Sequence, residues 1–371
     1  MYHIDYLTLN QLHEDAPEWG SVLDVWFNPE TGDVERQVML GEQVEGSWST
    51  SLRVRSSGGR VEVSGNPSKF GRLEAICGLP DLGSCVDIYN SILRELGLPE
   101  FTSGPVYRAL APVDPSQNGG DTVDSGARIS RIDLTRNLVL GSKVAAARFL
   151  DVMEGQRWGQ RLPFERTKGT TLKAGKGGRR RARVLYIKAP ELLAHRQTWA
   201  RSRSLEREGA VEYLQRCAEW ADEIGLVRDE IRLGTNALSE IGYQWVSRWN
   251  MGTVQELFEG SGDLGGVGGS VTDYDEGIYD ALLASGQSER MASQMANMVV
   301  SWMSGRDVRK GLSKTVFYRQ AKIIRDVTGL DLRADPSVAR IGTIVRPVVI
   351  EAKPLSFSDV PDWYDWGTKA A

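Results

Sequence analysis

The stretch "RISRIDLTRN", residues 128–137, alternates polar and apolar side chains, which predicts a half-buried β-strand. "LVRDEIRLG", residues 226–234, is also typical of a strand. Similar short runs occur at residues 2–9, 21–28, 48–55, 60–64, 163–173 and 182–189. Helical spacing instead marks residues 83–97, 142–153 and about 200–223. Because short strands mix with helices and long apolar strands are few, the sequence predicts an α+β fold around an antiparallel sheet.

The pattern changes beyond residue 236, where helical segments replace strands. These segments lie at residues 274–285, 288–304 and 314–328, and a short β-like run follows at 341–351. We therefore expect an α+β domain over residues 1–240 and a mainly helical domain over residues 241–340. A C-terminal β-like segment and tail would occupy residues 341–371.

Composition narrows the class of protein. The chain has 371 residues, of which 41% are hydrophobic and 25% charged, as in ordinary globular proteins. The net charge is −4, so any nucleic-acid site must be a local basic surface. Cys77, Cys85 and Cys217 are odd in number and lack CxxC spacing, which indicates reduced thiols. No signal peptide or membrane span is recognisable, so we expect a cytoplasmic protein.

Two acidic residues lie within the predicted strands. Asp133 stands between isoleucine and leucine, and Glu230 also has apolar neighbours. A carboxylate in such a position is costly unless it is paired, protonated or bound to a metal. Two oxygen donors of this kind would suit Mg²⁺ or Mn²⁺. The alternative is a solvated face on which Arg131, Arg228 or Arg232 pairs with them.

A basic segment without acidic residues runs between Arg166 and Lys188. It also carries Lys168, Lys173, Lys176, Arg179, Arg180, Arg181 and Arg183. In a protein of net charge −4, this asymmetry predicts contact with a polyanion. Glycines at 175, 177 and 178 would let the backbone approach phosphates closely. The candidates for DNA contacts are the six residues from Lys173 to Arg183; the alternative is a solvated hairpin tip.

Tyr186 follows this basic segment in "RVLYIKAPEL", with Lys188 two residues later. A tyrosine hydroxyl has a pKa near 10 and is a poor nucleophile without help. Lys188 as a nearby cation, or a metal on the phosphate, would supply that help. Without such a context, a strand tyrosine more often belongs to the core or to the sheet surface.

Several fragments together resemble the gene II replication initiator proteins of filamentous phages. They occur in the family's order from residue 1 to about 366, and no single piece is highly specific. The fragments include "MYHIDYLTL", "VEVSGNPSKFG", "ISRIDLT", "RVLYIKAPEL", "LVRDEIRL" and "PDWYDW". The resemblance implies a replication-initiator-like endonuclease core. It would nick the plus strand of supercoiled phage DNA at the origin, remain joined to the 5′ phosphate through a tyrosine, and later rejoin the strand.

The resemblance also implies roles for single residues. Tyr186 falls on the family's tyrosine in the "YxK" run and would be the nucleophile, with Lys188 as its local cation. Asp133 falls on the family's "RID" aspartate, and Glu230 falls on the glutamate of the later strand. Metal binding by these two is our inference from residue type and strand position. Glu191 also matches, as a third ligand or as a structural partner.

The expected partners are phage origin DNA, both as supercoiled duplex and as single strand, and the host's helicase and polymerase. A homodimer is compatible with this expectation, and the compartment would be the cytoplasm of a bacterial host. One rival is a non-catalytic protein that binds the origin or single strands, with tryptophans as stacking surfaces. It would need neither the strand carboxylates nor Mg²⁺. Another rival is a plasmid-type initiator of related fold, which differs in origin and host but shares the chemistry.

Overall fold

A computed structural model describes most of the chain. It covers residues 1–45, 51–109, 122–154, 157–158, 162–202, 205–261, 270–274, 276–303, 306–309, 312–328, 330–333 and 347–366. The beginnings of two predicted strands, residues 48–50 and 341–346, lie outside these ranges. Among the described residues, no helix is both long and apolar enough to cross a membrane.

The strands begin near the N-terminus and continue to the C-terminal segment. They are β1 (Tyr2–Leu12), β2 (Ser21–Phe27), β3 (Val34–Glu45), β4 (Ser51–Ser57), β5 (Arg60–Gly65), β6 (Tyr107–Ala109), β7 (Thr122–Asp124), β8 (Arg128–Val139), β9 (Arg157–Trp158), β10 (Leu162–Pro163), β11 (Glu165–Lys168), β12 (Thr171–Ala174), β13 (Arg181–Ile187), β14 (Leu226–Gly234), β15 (Ser270–Tyr274), β16 (Pro347–Glu351) and β17 (Lys353–Pro354).

The α-helices are concentrated in the second half of the chain. They are α1 (Leu82–Glu95), α2 (Lys143–Met153), α3 (Lys188–Ala200), α4 (Arg207–Glu223), α5 (Thr235–Glu240), α6 (Thr253–Gly260), α7 (Glu276–Ala284), α8 (Glu289–Met303) and α9 (Lys314–Thr328).

A large antiparallel sheet organises the described residues. Its strands follow the order β11-β12-β13-β14-β8-β1-β5-β4-β3-β2, and β17 pairs with β8 as an eleventh strand. Neighbours along this path pair antiparallel, from the β11–β12 hairpin to the β2–β3 hairpin. The prediction of an α+β fold with an antiparallel sheet is therefore confirmed.

The central strands present two different faces. One is apolar because residues such as Ile132, Leu134 and Ile231 alternate with polar neighbours, and α1, α2 and α6 pack on it. The opposite face is only partly covered, by α3, α4 and residues 73–77, whose apolar side chains form a second cluster. The polar side chains at the middle of that face are the candidate site.

Two local predictions differ from the structure. The predicted strand 163–173 is a hairpin, because β11 and β12 pair across the turn at Gly169 and Thr170. The predicted strand 182–189 ends at Ile187, and α3 begins at Lys188. Pro190 favours this early start because proline is tolerated in the first turn of a helix. The predicted long helix at 200–223 begins later, as α4 at Arg207.

The later part of the chain forms its own apolar cluster before returning to the sheet. Buried residues of α7, α8 and α9, including Leu282, Val299 and Ile324, make up most of that cluster. Beyond it, β16 pairs with β15, and β17 joins the main sheet at β8. The domain boundaries at residues 240 and 340 stay predictions.

Candidate active site

The partly covered face of the sheet brings the predicted residues together. In the pairing of β14 with β8, Arg232 lies opposite Asp133 and Glu230 lies opposite Thr135. In the pairing of β13 with β14, Tyr186 lies opposite Arg228. Because side chains alternate with a period of two, Tyr186, Glu230 and Asp133 share one face.

Tyr186 and Glu230 are directly bonded. The Tyr186 hydroxyl donates a hydrogen bond of 2.7 Å to Oε1 of Glu230. Burial raises the pKa of Tyr186 well above its usual value, although Arg228 opposes that rise. Burial, followed by the charge of Asp5, also raises the pKa of Glu230. A buried phenol beside a buried carboxylate is the arrangement in which a general base removes the phenolic proton.

Arginines surround the two strand carboxylates. Arg131 donates two hydrogen bonds to Asp133, of 3.0 and 2.6 Å. Arg232 lies between the carboxylates, 3.5 Å from Oδ2 of Asp133 and 3.0 Å from Oε2 of Glu230. Burial raises the pKa of Asp133, and the bonds from Arg131 oppose that rise. The interpretation in which neighbouring arginines pair with these carboxylates therefore holds for Arg131 and Arg232.

Arg228 has a different partner, Asp5, which the sequence reasoning missed. The pairing of β1 with β8 is irregular between Ile4 and Tyr6, and a bulge of this kind re-aims side chains. Asp5 Oδ1 accepts hydrogen bonds of 3.1 Å from Arg228 and 3.0 Å from Asn66. The signal was present, because Asp5 stands between an isoleucine and a tyrosine in a strand, much as Asp133 stands among apolar residues.

The carboxylates suit a divalent cation by chemistry but are already engaged. Asp133 and Glu230 offer the oxygen donors that Mg²⁺ prefers. Within the described part of the chain, no group of three or more acidic, histidine or cysteine residues is arranged to hold a metal ion. Mg²⁺ is often bound by only one or two carboxylates together with substrate phosphates and water. These two residues fit that mode if a phosphate and a cation take the place of Arg232.

Helix α3 lines the site beyond Tyr186. Lys188, Glu191 and His195 lie three and four residues apart and so share one helix face. The ammonium group of Lys188 lies 5.8 Å from the Tyr186 ring centroid and donates a hydrogen bond to Glu191. Burial would raise the pKa of Glu191, but the charges of Lys188 and Arg228 outweigh it and lower that pKa to about 2. Glu191 therefore stands here as a partner of Lys188.

His195 connects this helix to the loop after β5. Its Nδ1 lies 2.8 Å from the ammonium nitrogen of Lys69, and its Nε2 lies 3.9 Å from Glu191. Burial, with Lys188 as the next cause, lowers the pKa of Lys69. The sequence reasoning set His195 aside because the histidines are scattered along the chain. Only the fold brings it close to Lys188 and Glu191.

The basic turn lies at the other end of β13. Lys176, Arg179, Arg180 and Arg181 are exposed, whereas Lys173 is half-buried. Six residues of strand at about 3.3 Å each separate Arg180 from Tyr186, which is about 20 Å. Backbone hydrogen bonds hold the turn, since the amides of residues 234 and 236 donate to the carbonyls of residues 180 and 179. DNA that contacts both must therefore extend along the strand.

Arg183 corrects the predicted set of DNA contacts. Its side chain has no exposed surface and lies on the opposite, apolar face of the sheet. Its guanidinium donates hydrogen bonds of 2.8 and 2.7 Å to Asp229, which also accepts one of 3.0 Å from Arg136. Strand alternation explains the correction, because Arg183 is one residue out of phase with Tyr186 and Val184.

Comparisons with known proteins agree on one family. The model of the N-terminal part of a phage replication-associated protein, the gene II product, matches residues 4–252, which include every residue of the site described above. The replication-associated protein of the same name from Escherichia phage If1 is 28% identical over 323 residues. That alignment covers 85% of this chain and 96% of the phage protein.

Proposed function

The chain belongs to the family of phage gene II replication-associated proteins, and from that premise we propose that it initiates rolling-circle replication of a filamentous phage. It would nick the plus strand of supercoiled origin DNA and later rejoin it. The observation that carries the proposal is the 2.7 Å hydrogen bond from the Tyr186 hydroxyl to Glu230, on the face that also holds Asp133. Such a pair suits a tyrosine that attacks a phosphodiester and becomes covalently joined to DNA.

Tyr186 is the proposed nucleophile and Glu230 its base. The phenolic oxygen forms a bond to phosphorus while the bond from phosphorus to the 3′ oxygen breaks. The phenolic proton passes to Glu230, and the departing 3′ oxygen takes a proton from solvent. The products are a 5′ phosphotyrosine and a free 3′ hydroxyl, which a host polymerase would extend. Because one phosphodiester replaces another, the reverse reaction rejoins the strand without ATP.

Cationic side chains would stabilise the charge that develops on the phosphate. Arg228 and Arg232 lie on the same face as Tyr186, and Lys188 lies beside its ring. Preorganised cations in a partly buried site stabilise an anionic transition state without reorganising. Mg²⁺, held by Asp133 and Glu230 together with the substrate phosphate, would polarise that phosphate further.

The exposed residues of the basic turn would hold the DNA backbone away from the point of cleavage. They are Lys176, Arg179, Arg180 and Arg181. Contacts of this type set the position of DNA and contribute affinity rather than base recognition. The half-buried Lys173 would contact the strand between the turn and Tyr186, because it pairs with Val184 on the site face.

The decisive experiment follows the covalent intermediate. The full chain is incubated with Mg²⁺ and a supercoiled plasmid that carries the origin, and protein linked to nicked DNA is measured after denaturation. Tyr186→Phe should abolish the linked product, and mass spectrometry of the wild-type adduct should find the nucleotide on Tyr186. The matched control is Tyr6→Phe, which removes a hydroxyl from the same face near Arg131 and should still form the adduct.

Two further arms of that experiment test the base and the metal. Glu230→Gln should slow nicking by about 100-fold or more, because a positioned base contributes roughly that much. Removal of Mg²⁺ with a chelator should stop nicking by the wild type. A DNA adduct in Tyr186→Phe would reject the nucleophile, and nicking in the chelator would reject the metal. DNA binding without nicking under every condition would favour the non-catalytic rival.

A further inference from the structure

The outer face of α9 is strongly basic. Lys314, Arg319, Lys322 and Arg325 are all exposed. At 100° per residue they fall within about 140° of the helix circumference, and they span about 17 Å along its axis. Tyr318 lies in the middle of this arc with 53% of its surface exposed. We call these five residues the α9 basic face.

The opposite side of α9 fixes this face toward solvent. Phe317, Gln320, Ala321 and Ile324 are buried, and the three apolar ones belong to the cluster shared with α7 and α8. The helix is therefore amphipathic, with one side held in a packed core. The basic face is the side for which the described residues provide no covering element.

Neighbouring carboxylates do little to neutralise this charge. Within the described residues, Arg325 makes an ion pair with Asp326 at 3.6 Å, whereas Lys314, Arg319 and Lys322 make none. Residues 306–325 carry seven basic residues and a single acidic one, Asp307. The helix α7 contains Glu276 and Asp280 without any basic residue. In a chain of net charge −4, positive charge is thus concentrated on one helix of the cluster.

We propose that the α9 basic face is a second DNA-binding surface that holds the phosphate backbone of duplex DNA. The major groove of B-form DNA is about 12 Å wide and admits an α-helix. A helix with basic side chains on both flanks of its outer face would contact the phosphates on both sides of that groove. Tyr318 would add its hydroxyl to these contacts or reach a base edge.

Duplex DNA is favoured over an acidic protein as the occupant by the shape of the surface. The four charges form two flanks around a single aromatic side chain, rather than the apolar centre that protein interfaces need. Regularly spaced anions on both sides of a groove match such flanks, and nucleic-acid sites show clustered Lys and Arg on one helix face.

The inference deepens the proposed function but does not depend on the chemistry of Tyr186. Cleavage requires one strand near the sheet, whereas origin recognition requires duplex beside it. The α9 basic face would supply the duplex contact. The test measures binding alone, so its result stands whether or not Tyr186 proves to be the nucleophile.

The experiment measures the affinity of the full chain for a non-origin duplex of about 30 base pairs by fluorescence anisotropy at several salt concentrations. The variant carries Lys314→Gln, Arg319→Gln, Lys322→Gln and Arg325→Gln together. The matched control carries Arg94→Gln and Arg207→Gln, which remove exposed charges from α1 and α4. A charge-preserving variant exchanges lysine and arginine at the four α9 positions. Circular dichroism checks that each variant is folded.

We expect the glutamine variant to bind duplex about tenfold or more weakly at moderate salt. Each lost phosphate contact should also lower the slope of log affinity against log salt by about 0.9. The control and the charge-preserving variant should bind like the wild type. Unchanged affinity and slope in the folded glutamine variant would overturn the proposal. Such a result would leave an acidic protein partner as the alternative occupant.

Discussion

At the scale of single residues, the buried triad of Arg183, Asp229 and Arg136 behaves differently from the arginines of the site. Asp229 has no exposed surface and accepts hydrogen bonds from both guanidinium groups. Burial would raise the pKa of Asp229, but Arg183 and then Arg136 outweigh it and lower that pKa. The aspartate is therefore ionised in the folded protein and compensates two buried cations.

Removing Asp229 should consequently destabilise the fold. Asp229→Ala leaves two guanidinium groups buried without their counter-ion, and breaking a buried pair costs about 3–5 kcal/mol. The measurement is the free energy of unfolding in urea. The control is Glu100→Ala, which breaks an exposed pair with Arg94 and should cost about 1 kcal/mol or less. Equal losses in the two variants would contradict the structural role assigned to the triad.

The same residues show what the sequence does and does not predict at this scale. Acidic residues among apolar neighbours correctly drew attention to Asp133 and Glu230, and the same rule applied to Asp5 would have added it. Arg183 was assigned by charge alone, although strand alternation already put it out of phase with Tyr186. His195 was out of reach, because its position beside Lys69 depends on the packing of α3 against a distant loop.

At the scale of elements, the turn from α4 into β14 depends on Gly225. Its φ is +61°, in the left-handed region, and an added Cβ would lie 2.1 Å from the carbonyl oxygen of Ser142. Ser142 is the N-cap of α2, where its side chain accepts a hydrogen bond from the backbone amide of Ala145. Strand and helix therefore meet at a position where only glycine fits.

Gly225→Ala should therefore cost more than the same change at another left-handed glycine. Gly97, which follows α1, has a φ of +69° and no atom within 4 Å of an added Cβ. We expect about 1–2 kcal/mol for Gly97→Ala from the backbone strain alone. Gly225→Ala should lose about 3 kcal/mol or more, because the clash with a backbone oxygen adds to the strain. Thermal or urea unfolding of both variants measures the difference, and equal losses would contradict the close approach.

Element prediction succeeded where one signal acted alone. The alternation in β8 and β14 and the glycine after α1 are local, and both agree with the structure. The boundary between β13 and α3 was missed, because "YIKAPELL" has the apolar content of either element. The pairing partner decides the matter there, since β13 stays paired with β14 only as far as Ile187.

At the scale of the whole molecule, the C-terminal segment ties the chain back to its beginning. The N-terminal amine donates a hydrogen bond of 2.6 Å to the carbonyl of Leu355. The Tyr364 hydroxyl accepts hydrogen bonds of 2.9 Å from the backbone amide of Cys77 and 3.1 Å from Arg72. Such contacts join positions hundreds of residues apart, and no local pattern predicts them. The sequence indicated only an aromatic tail.

Tyr364→Ala should therefore open the region around Cys77. Tyr364 is 3% exposed and packs against Trp220, and truncating a buried aromatic side chain costs about 3–5 kcal/mol. Burial raises the pKa of the Cys77 thiol to about 12, so this thiol should resist a thiol reagent at about pH 8 in the native protein. Removing the ring that covers Cys77 lets solvent reach it and brings the pKa back toward its ordinary value.

The measurement is the rate of labelling by a chromogenic disulfide, with Cys77→Ser as the background that identifies the site. We expect labelling of Cys77 to be at least about tenfold faster in Tyr364→Ala, since the thiolate is the reactive form. Phe357→Ala is the matched control because that ring belongs to the same segment but is 72% exposed. Its labelling rate should equal that of the wild type. If Tyr364→Ala also labels at the wild-type rate, the tail does not cover the core in solution.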